Sequence, residues 1–182
     1  MPIRIVVGGV PNCGKSTLSA SVYKELQARG INIGIHELDV FENTLFCILG
    51  IESWEKRIKV KSGDWSNLRV SRAMDAFLRD KSHFVLGDLT GIIDGLLKKM
   101  VKNANKAIAI GRDWQSLNLW LNFFNSQGIP VVLKIISYVG KISNESLPKD
   151  ILFVGNLERK VLRNNEISEV ADRLIESCID AD

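Results

Sequence analysis

Gly9-Val10-Pro11-Asn12-Cys13-Gly14-Lys15-Ser16 follows a short apolar run, Ile3 to Val7, and leads into a stretch of helical periodicity. These eight residues fit the pattern G-x-x-x-x-G-K-[ST], whose glycines let successive backbone N–H groups curl around an anion. The β-branched run before it reads as a buried strand. Leu18, Val22 and Leu26 recur every four residues after it and give a helix a core-facing stripe. Strand, glycine turn and helix N-terminus together make an anion site, because orphan N–H groups and the helix dipole both favour negative charge. Lys15 is expected to reach the β- and γ-phosphates of a nucleotide, and the Ser16 hydroxyl to hold Mg²⁺. The expected nucleotide contacts are Gly9, Val10, Pro11, Asn12, Cys13, Gly14, Lys15, Ser16 and Thr17. Cys13 reads as a small residue that fits the loop, or as a thiol acidified by the helix N-terminus.

Gly30 stops the first helix, and Ile31 to His36 reads as a second strand, so the chain begins with a βαβ unit and parallel pairing. This second strand runs into Glu37-Leu38-Asp39. Functional groups of open α/β sheets gather at the carboxyl ends of strands, so Asp39 is a candidate to orient water, support Mg²⁺ or act as general base. His36 and Glu37 are weaker candidates. Residues 40–65 exceed an ordinary connection, with an apolar cluster from Leu45 to Ile51, a charge-alternating run from Glu55 to Lys61 and a turn at Gly63-Asp64-Trp65. Long excursions over a site are often lids or binding elements, so residues 40–82 are expected to form a lid or partner insertion within one domain of residues 1–182.

A second signature follows a helix expected over Ser66 to Asp80. His83 to Gly87 is a third apolar strand, and it ends in Asp88-Leu89-Thr90-Gly91. A carboxylate at the end of an apolar strand, downstream of a phosphate loop, is placed to meet Mg²⁺ or its bound water. Asp88 is thus a candidate metal ligand with Ser16, and Gly91 a candidate backbone donor to phosphate. A helix is then expected over Ile92 to Ala104, and a fourth strand from Ala107 to Gly111. Asp113 reads as the N-cap of a Trp-rich helix, more core than base-stacking platform. Val131 to Ile136 and Ile151 to Val154 complete six strands, and Ile167 to Cys178 has the stripe of a closing amphipathic helix. Arg112 and Asn156, at strand ends, are candidate nucleotide contacts. The alternation of strands and helices specifies an α/β fold, a three-layer α/β/α sandwich with a mainly parallel sheet of about six strands.

The Gly9–Ser16 stretch resembles the Walker A motif of P-loop NTPases, and Asp88 to Gly91 resembles the γ-phosphate-sensing D-x-x-G turn of GTPases and SIMIBI-type ATPases. The resemblance implies Mg²⁺ as cofactor, with Lys15, Asp39 and Asp88 as catalytic candidates. The N-K-x-D base-recognition motif of GTPases is missing, since Asn105-Lys106 is followed by Ala107-Ile108. That leans the site toward ATP over GTP. The extra early lysine of MinD-like ATPases is absent from Val10 to Cys13. Residues 8–16 and the Arg112-Asp113 helix start also resemble an ATPase-like domain found beside CRISPR-associated ring nucleases.

Two main readings follow: a nucleotide-dependent ATPase switch, and a small-molecule or nucleotide kinase whose acceptor sits among residues 40–80. In the kinase reading Arg69 or Arg72 would assist. A third is a nucleotide-binding module without turnover. The partner is a nucleotide, together with an unknown acceptor or protein, and a homodimer stays open. A net charge of +3 over 182 residues carries no strong nucleic-acid signal, and no apolar run has the length of a membrane span. Three scattered cysteines and a chain that goes directly into a strand point to a cytoplasmic protein with reduced thiols.

Overall fold

The computed structural model describes residues 1–57, 67–139 and 148–179. The run at 58–61, the turn at 63–65 and most of the loop expected after the fifth strand lie outside them. Six strands form one sheet: β1 (Ile3–Gly9), β2 (Ile33–Glu37), β3 (Phe84–Asp88), β4 (Lys106–Gly111), β5 (Val131–Tyr138) and β6 (Ile151–Gly155). Their order is β2-β3-β1-β4-β5-β6, and every pairing is parallel. The central strands are continuous apolar runs because helices cover both of their faces, and β3 is buried throughout.

Successive side chains of β1 divide between two cores. Ile5 and Val7 pack with Leu18, Val22 and Leu26 of α1 (Lys15–Ala28) and with Ile167, Val170 and Leu174 of the closing helix. Val6 faces the opposite layer with Phe77, Leu97 and Trp120. Between the first helix and the third strand lie α2 (Thr44–Ile48), a single 3-10 turn at Trp54–Lys56, and α3 (Asn67–Arg79). Helix α2 sets Leu45 and Ile48 on Ala20, on the outer side of α1, whereas α3 adds Phe77 to the second core. The remaining helices are α4 (Gly95–Val101), α5 (Trp114–Ser126) and α6 (Asn165–Ile179).

Helix α4 is shorter than the periodicity of Ile92 to Ala104 suggests. The Asp94 carboxylate accepts from the Leu97 backbone N–H at 2.8 Å and so starts the helix there. Residues before it turn against the phosphate loop instead. Helix α5 begins as expected, with Asp113 and Ser116 forming a reciprocal capping box. Trp120 is fully buried with Phe123 and Phe124 around it, so this helix is core. A Cβ on Gly8 would lie 2.4 Å from the Trp120 ring, so only glycine lets β1 pass beneath that indole. No helix among the described residues is long and apolar enough to cross a membrane.

Candidate functional site

The phosphate loop lies where the strand order reverses, at the carboxyl end of central β1, with crossovers departing to either side. Two left-handed residues shape it, Asn12 (φ 60°) and Gly14 (φ 88°). Gly14 is the N-cap of α1, so no side chain satisfies the first N–H groups of the helix, and its first turn carries no acid. Those donors remain available to an anion. A Cβ on Gly14 would meet Leu157 at 2.6 Å, and the Thr17 hydroxyl donates to the Glu158 carbonyl at 2.6 Å. The segment after β6 is thereby pinned on the loop.

Beneath the loop, Asp88 ends β3 with 1% exposure. It accepts from the Ser16 hydroxyl at 2.6 Å and from the Ser19 hydroxyl at 3.2 Å. Burial pushes its carboxyl up to about 6, against the pull of Lys15 and the Ser16 hydrogen bond. A carboxylate and a hydroxyl in contact, at a helix N-terminus facing a cavity, are hard oxygen donors that suit Mg²⁺. Among the described residues, no cluster of three or more His, Cys, Asp or Glu could hold a metal alone. An ion here would therefore need phosphate and water oxygens as well, as Mg²⁺ commonly does. Ser16 and Asp88 fit that group, and Asp88 would meet it directly or through bound water.

Asp39 follows β2, and its Oδ1 accepts from the Phe41 N–H at 3.1 Å. Burial raises its carboxyl above the ordinary range, while that N–H and Lys15 act to lower it. Glu37, which sequence reading ranked low, is the more perturbed group. Its Oε1 accepts from the Leu45 N–H at 2.9 Å, and its Oε2 is buried with no hydrogen-bond partner. Burial pushes this carboxyl up to about 9, so it is protonated at neutral pH. The sequence signal, an acid closing an apolar strand before a short apolar helix, marks such a tie only once the chain is folded. His36 bonds Asp80 at 2.8 Å and does not line the cavity described next.

These groups surround a cavity of about 520 Å³. Pro11, Asn12, Gly14, Lys15, Ser16 and Thr17 form one wall, and Asp39, Thr90 and Gly91 close the side toward β2 and β3. Gly91 is pressed on the loop, since a Cβ there would lie 2.8 Å from the Pro11 nitrogen. The opposite wall comprises Glu37, Phe41, Glu42, Thr44, Ile48 and Arg57. Gly9, Val10, Cys13, Asp88, Arg112 and Asn156 are not among the described lining residues. Arg112 and Asn156 sit at the carboxyl ends of β4 and β6, both exposed, with Asn156 in a left-handed conformation at φ 51°. Cys13 is 2% exposed, and burial raises its thiol, overriding the acidifying effect of Lys15 and the backbone donor. It is a packing residue. The arginines at the cavity are Arg57 and Arg159 rather than Arg69, Arg72 or Arg112.

No protein-family model matches the sequence, and the search of curated proteins gives no match. Solved structures do share the architecture. The pNOB8 ParA structure bound to nonspecific DNA superposes with a TM-score of 0.62 at 10% identity, covering 100% of both chains. A putative plasmid partition protein from Borrelia burgdorferi B31, bound to AMPPNP, gives 0.61 at 12% identity over 98% of each chain. The septum site-determining protein MinD from Pyrococcus horikoshii OT3, complexed with Mg-ADP, gives 0.57 at 15% identity over 75% of this chain and 70% of that one. A six-stranded all-parallel sheet with its G-x-x-x-x-G-K-S loop on the central strand is the P-loop NTPase fold, and this chain has it.

Proposed function

We propose that the protein binds and hydrolyses Mg-ATP and acts as a nucleotide-dependent switch. The observation that carries this reading is the 2.6 Å bond from Ser16, at the start of α1, to a fully buried Asp88 beneath the loop. Lys15 and the free N–H groups of α1 bind and orient the phosphates, while Asp88 fixes the Ser16 hydroxyl. Bound Mg²⁺ would supply charge neutralisation at the β- and γ-phosphates. Asp39 holds the attacking water through its carboxylate, and that water forms the new P–O bond as the bond to the diphosphate breaks. Gly91, against Pro11, reports the γ-phosphate through its backbone N–H. Burial of Asp39 beside Lys15 supports a carboxylate able to accept the water's proton, directly or through the phosphate.

Adenine nucleotide is favoured because the chain lacks N-K-x-D, and because MinD and the Borrelia protein are seen with Mg-ADP and AMPPNP. The solved neighbours lend no support to the kinase reading. The switch element is the wall from Asp39 to Arg57, which shares the cavity with Gly91. Two measurements test this. Phosphate release from Mg-ATP should proceed slowly without any acceptor, and protease cleavage within residues 40–57 should differ between ATP and ADP. ADP formed only on adding a hydroxyl acceptor, with the phosphoryl group on that acceptor and none set free, would replace the switch by a kinase, and neither ADP nor free phosphate by a binding module.

A further inference from the structure

Trp54 is 42% exposed, and two guanidinium groups lie over its ring. Arg57 is 6.0 Å and Arg159 5.9 Å from the ring centroid, and both arginines line the same cavity as Lys15. They come from segments far apart in the chain and meet at that one ring. Arg159 directly follows Leu157 and Glu158, the residues pinned on Gly14 and Thr17. Arg57 lies on the wall that begins at Asp39 and is held by Glu42 at 2.6 Å. Its Nε is buried without a hydrogen-bond partner, and among the described residues Arg159 pairs with no carboxylate. A guanidinium stacked on an aromatic ring keeps its planar fork pre-oriented toward a carboxylate or phosphate. Of the described lining carboxyls, Glu37 is held protonated by burial, Glu42 is engaged by Arg57 and Asp39 lies near Lys15, so none of these three pairs with Arg159.

We propose that Arg159 and Arg57, braced on Trp54, form a guanidinium clamp on the polyphosphate of the bound nucleotide. Arg159 binds phosphate oxygens through its fork, and Arg57, positioned by Glu42 on the segment after β2, adds its charge from the shared Trp54 contact. The clamp deepens the nucleotide reading above and rests on it. It adds residues 57 and 159 to the cationic support that Lys15 gives this site and makes the number of phosphates, rather than the base, the feature that these arginines read.

The test is equilibrium binding of Mg-ATP, Mg-tripolyphosphate and adenosine to the full chain and to Arg159→Ala, Arg159→Lys and Arg57→Ala. Arg159→Ala should weaken Mg-ATP and Mg-tripolyphosphate about 10- to 100-fold, the range of a lost charge-assisted contact. Adenosine binding should not change, and the melting temperature of the free protein should fall little, since among the described residues the exposed Arg159 side chain makes no ion pair and gives up only its contact with Trp54. Arg159→Lys should recover only part of the loss, because an ammonium cannot fork. Arg57→Ala should act in the same direction. If Arg159→Ala and Arg57→Ala bind Mg-ATP like the parent protein, the clamp is wrong and the nucleotide reading stands. If adenosine weakens in parallel, Arg159 reads the nucleoside and the clamp is again wrong. If the parent protein binds neither Mg-ATP nor Mg-tripolyphosphate, the nucleotide reading falls and the clamp with it.

Discussion

The two walls of the cavity are built by different means. The phosphate-loop wall is fixed by backbone: β1 is held on both sides by β3 and β4, Asn12 and Gly14 take left-handed angles, and α1 starts at once. The wall from Asp39 to Arg57 depends on side chains. Glu37 holds the Leu45 N–H, Asn43 bonds Glu52, Arg57 pairs with Glu42, and Leu45 and Ile48, with Phe46 and Leu49 beside them, pack on Ala20 in a small cluster. The first wall shares the stability of the whole sheet. The second has few buried apolar contacts and several titratable ties, the features of a segment that opens on its own. Under the proposed function, one rigid and one adjustable wall would serve a site that admits a nucleotide and responds to its hydrolysis.

The largest expected effect that separates the walls is a cavity made beneath each. Leu18 and Leu45 are both fully buried, Leu18 in the main core under α1 and Leu45 in the small cluster outside it. Leu18→Ala should cost the whole protein about 2–5 kcal/mol. Leu45→Ala should cost less globally, because local opening caps the loss, and should instead raise protease cleavage within residues 40–57. Chemical denaturation with mapped proteolysis checks both. Equal global losses would mean that the two walls unfold as one.

A smaller effect concerns pH. The folded chain raises Glu37 from an ordinary 4.5 to about 9, mainly by burial and against the Leu45 N–H. Between these values the folded state binds a proton that the unfolded state has released, so this stabilisation is complete below about 4.5 and is lost as pH rises toward 9. Glu37→Gln, which keeps an acceptor for the Leu45 N–H, should match the parent at acid pH and exceed it increasingly toward pH 9. The gap grows by up to about 1.4 kcal/mol per pH unit until opening of the wall limits it. Denaturation curves at several pH values measure this gap, and a gap independent of pH would place Glu37 in an ordinary ionised state.

The same contrast explains what could be read from sequence. Gly9 to Ser16 is local: its spacing is its geometry, and its flanking strand and helix follow from short-range periodicity. Asp88 was legible because a buried parallel strand is an unbroken apolar run, so the acid that ends it stands out. The sheet as a whole was legible for the same reason. Arg57 and Arg159 were not, because their places come from packing between distant segments, and Glu37 was legible as a strand-end acid but not in its burial. Thr17 and Glu158 meet across 141 residues, and it is that contact which brings Arg159 to the cavity. Arg112 shows the converse: a strand-end position put it on the right side of the sheet but not at the described cavity lining. The start of α4 was misjudged because apolar periodicity continues from the 89–93 turn into the helix, while Asp94 decides where the helix begins.

The proposed Mg-nucleotide site stands on Lys15, Ser16 and Asp88 together. The most direct measurement is the shift in melting temperature on adding Mg-ATP to the parent protein and to Lys15→Ala. A ligand that binds only the folded state stabilises it according to its affinity, so the parent should show a saturable rise. The variant, with its buried cation removed, should show none at the same concentrations. An equal rise in both proteins would contradict the assignment of the site.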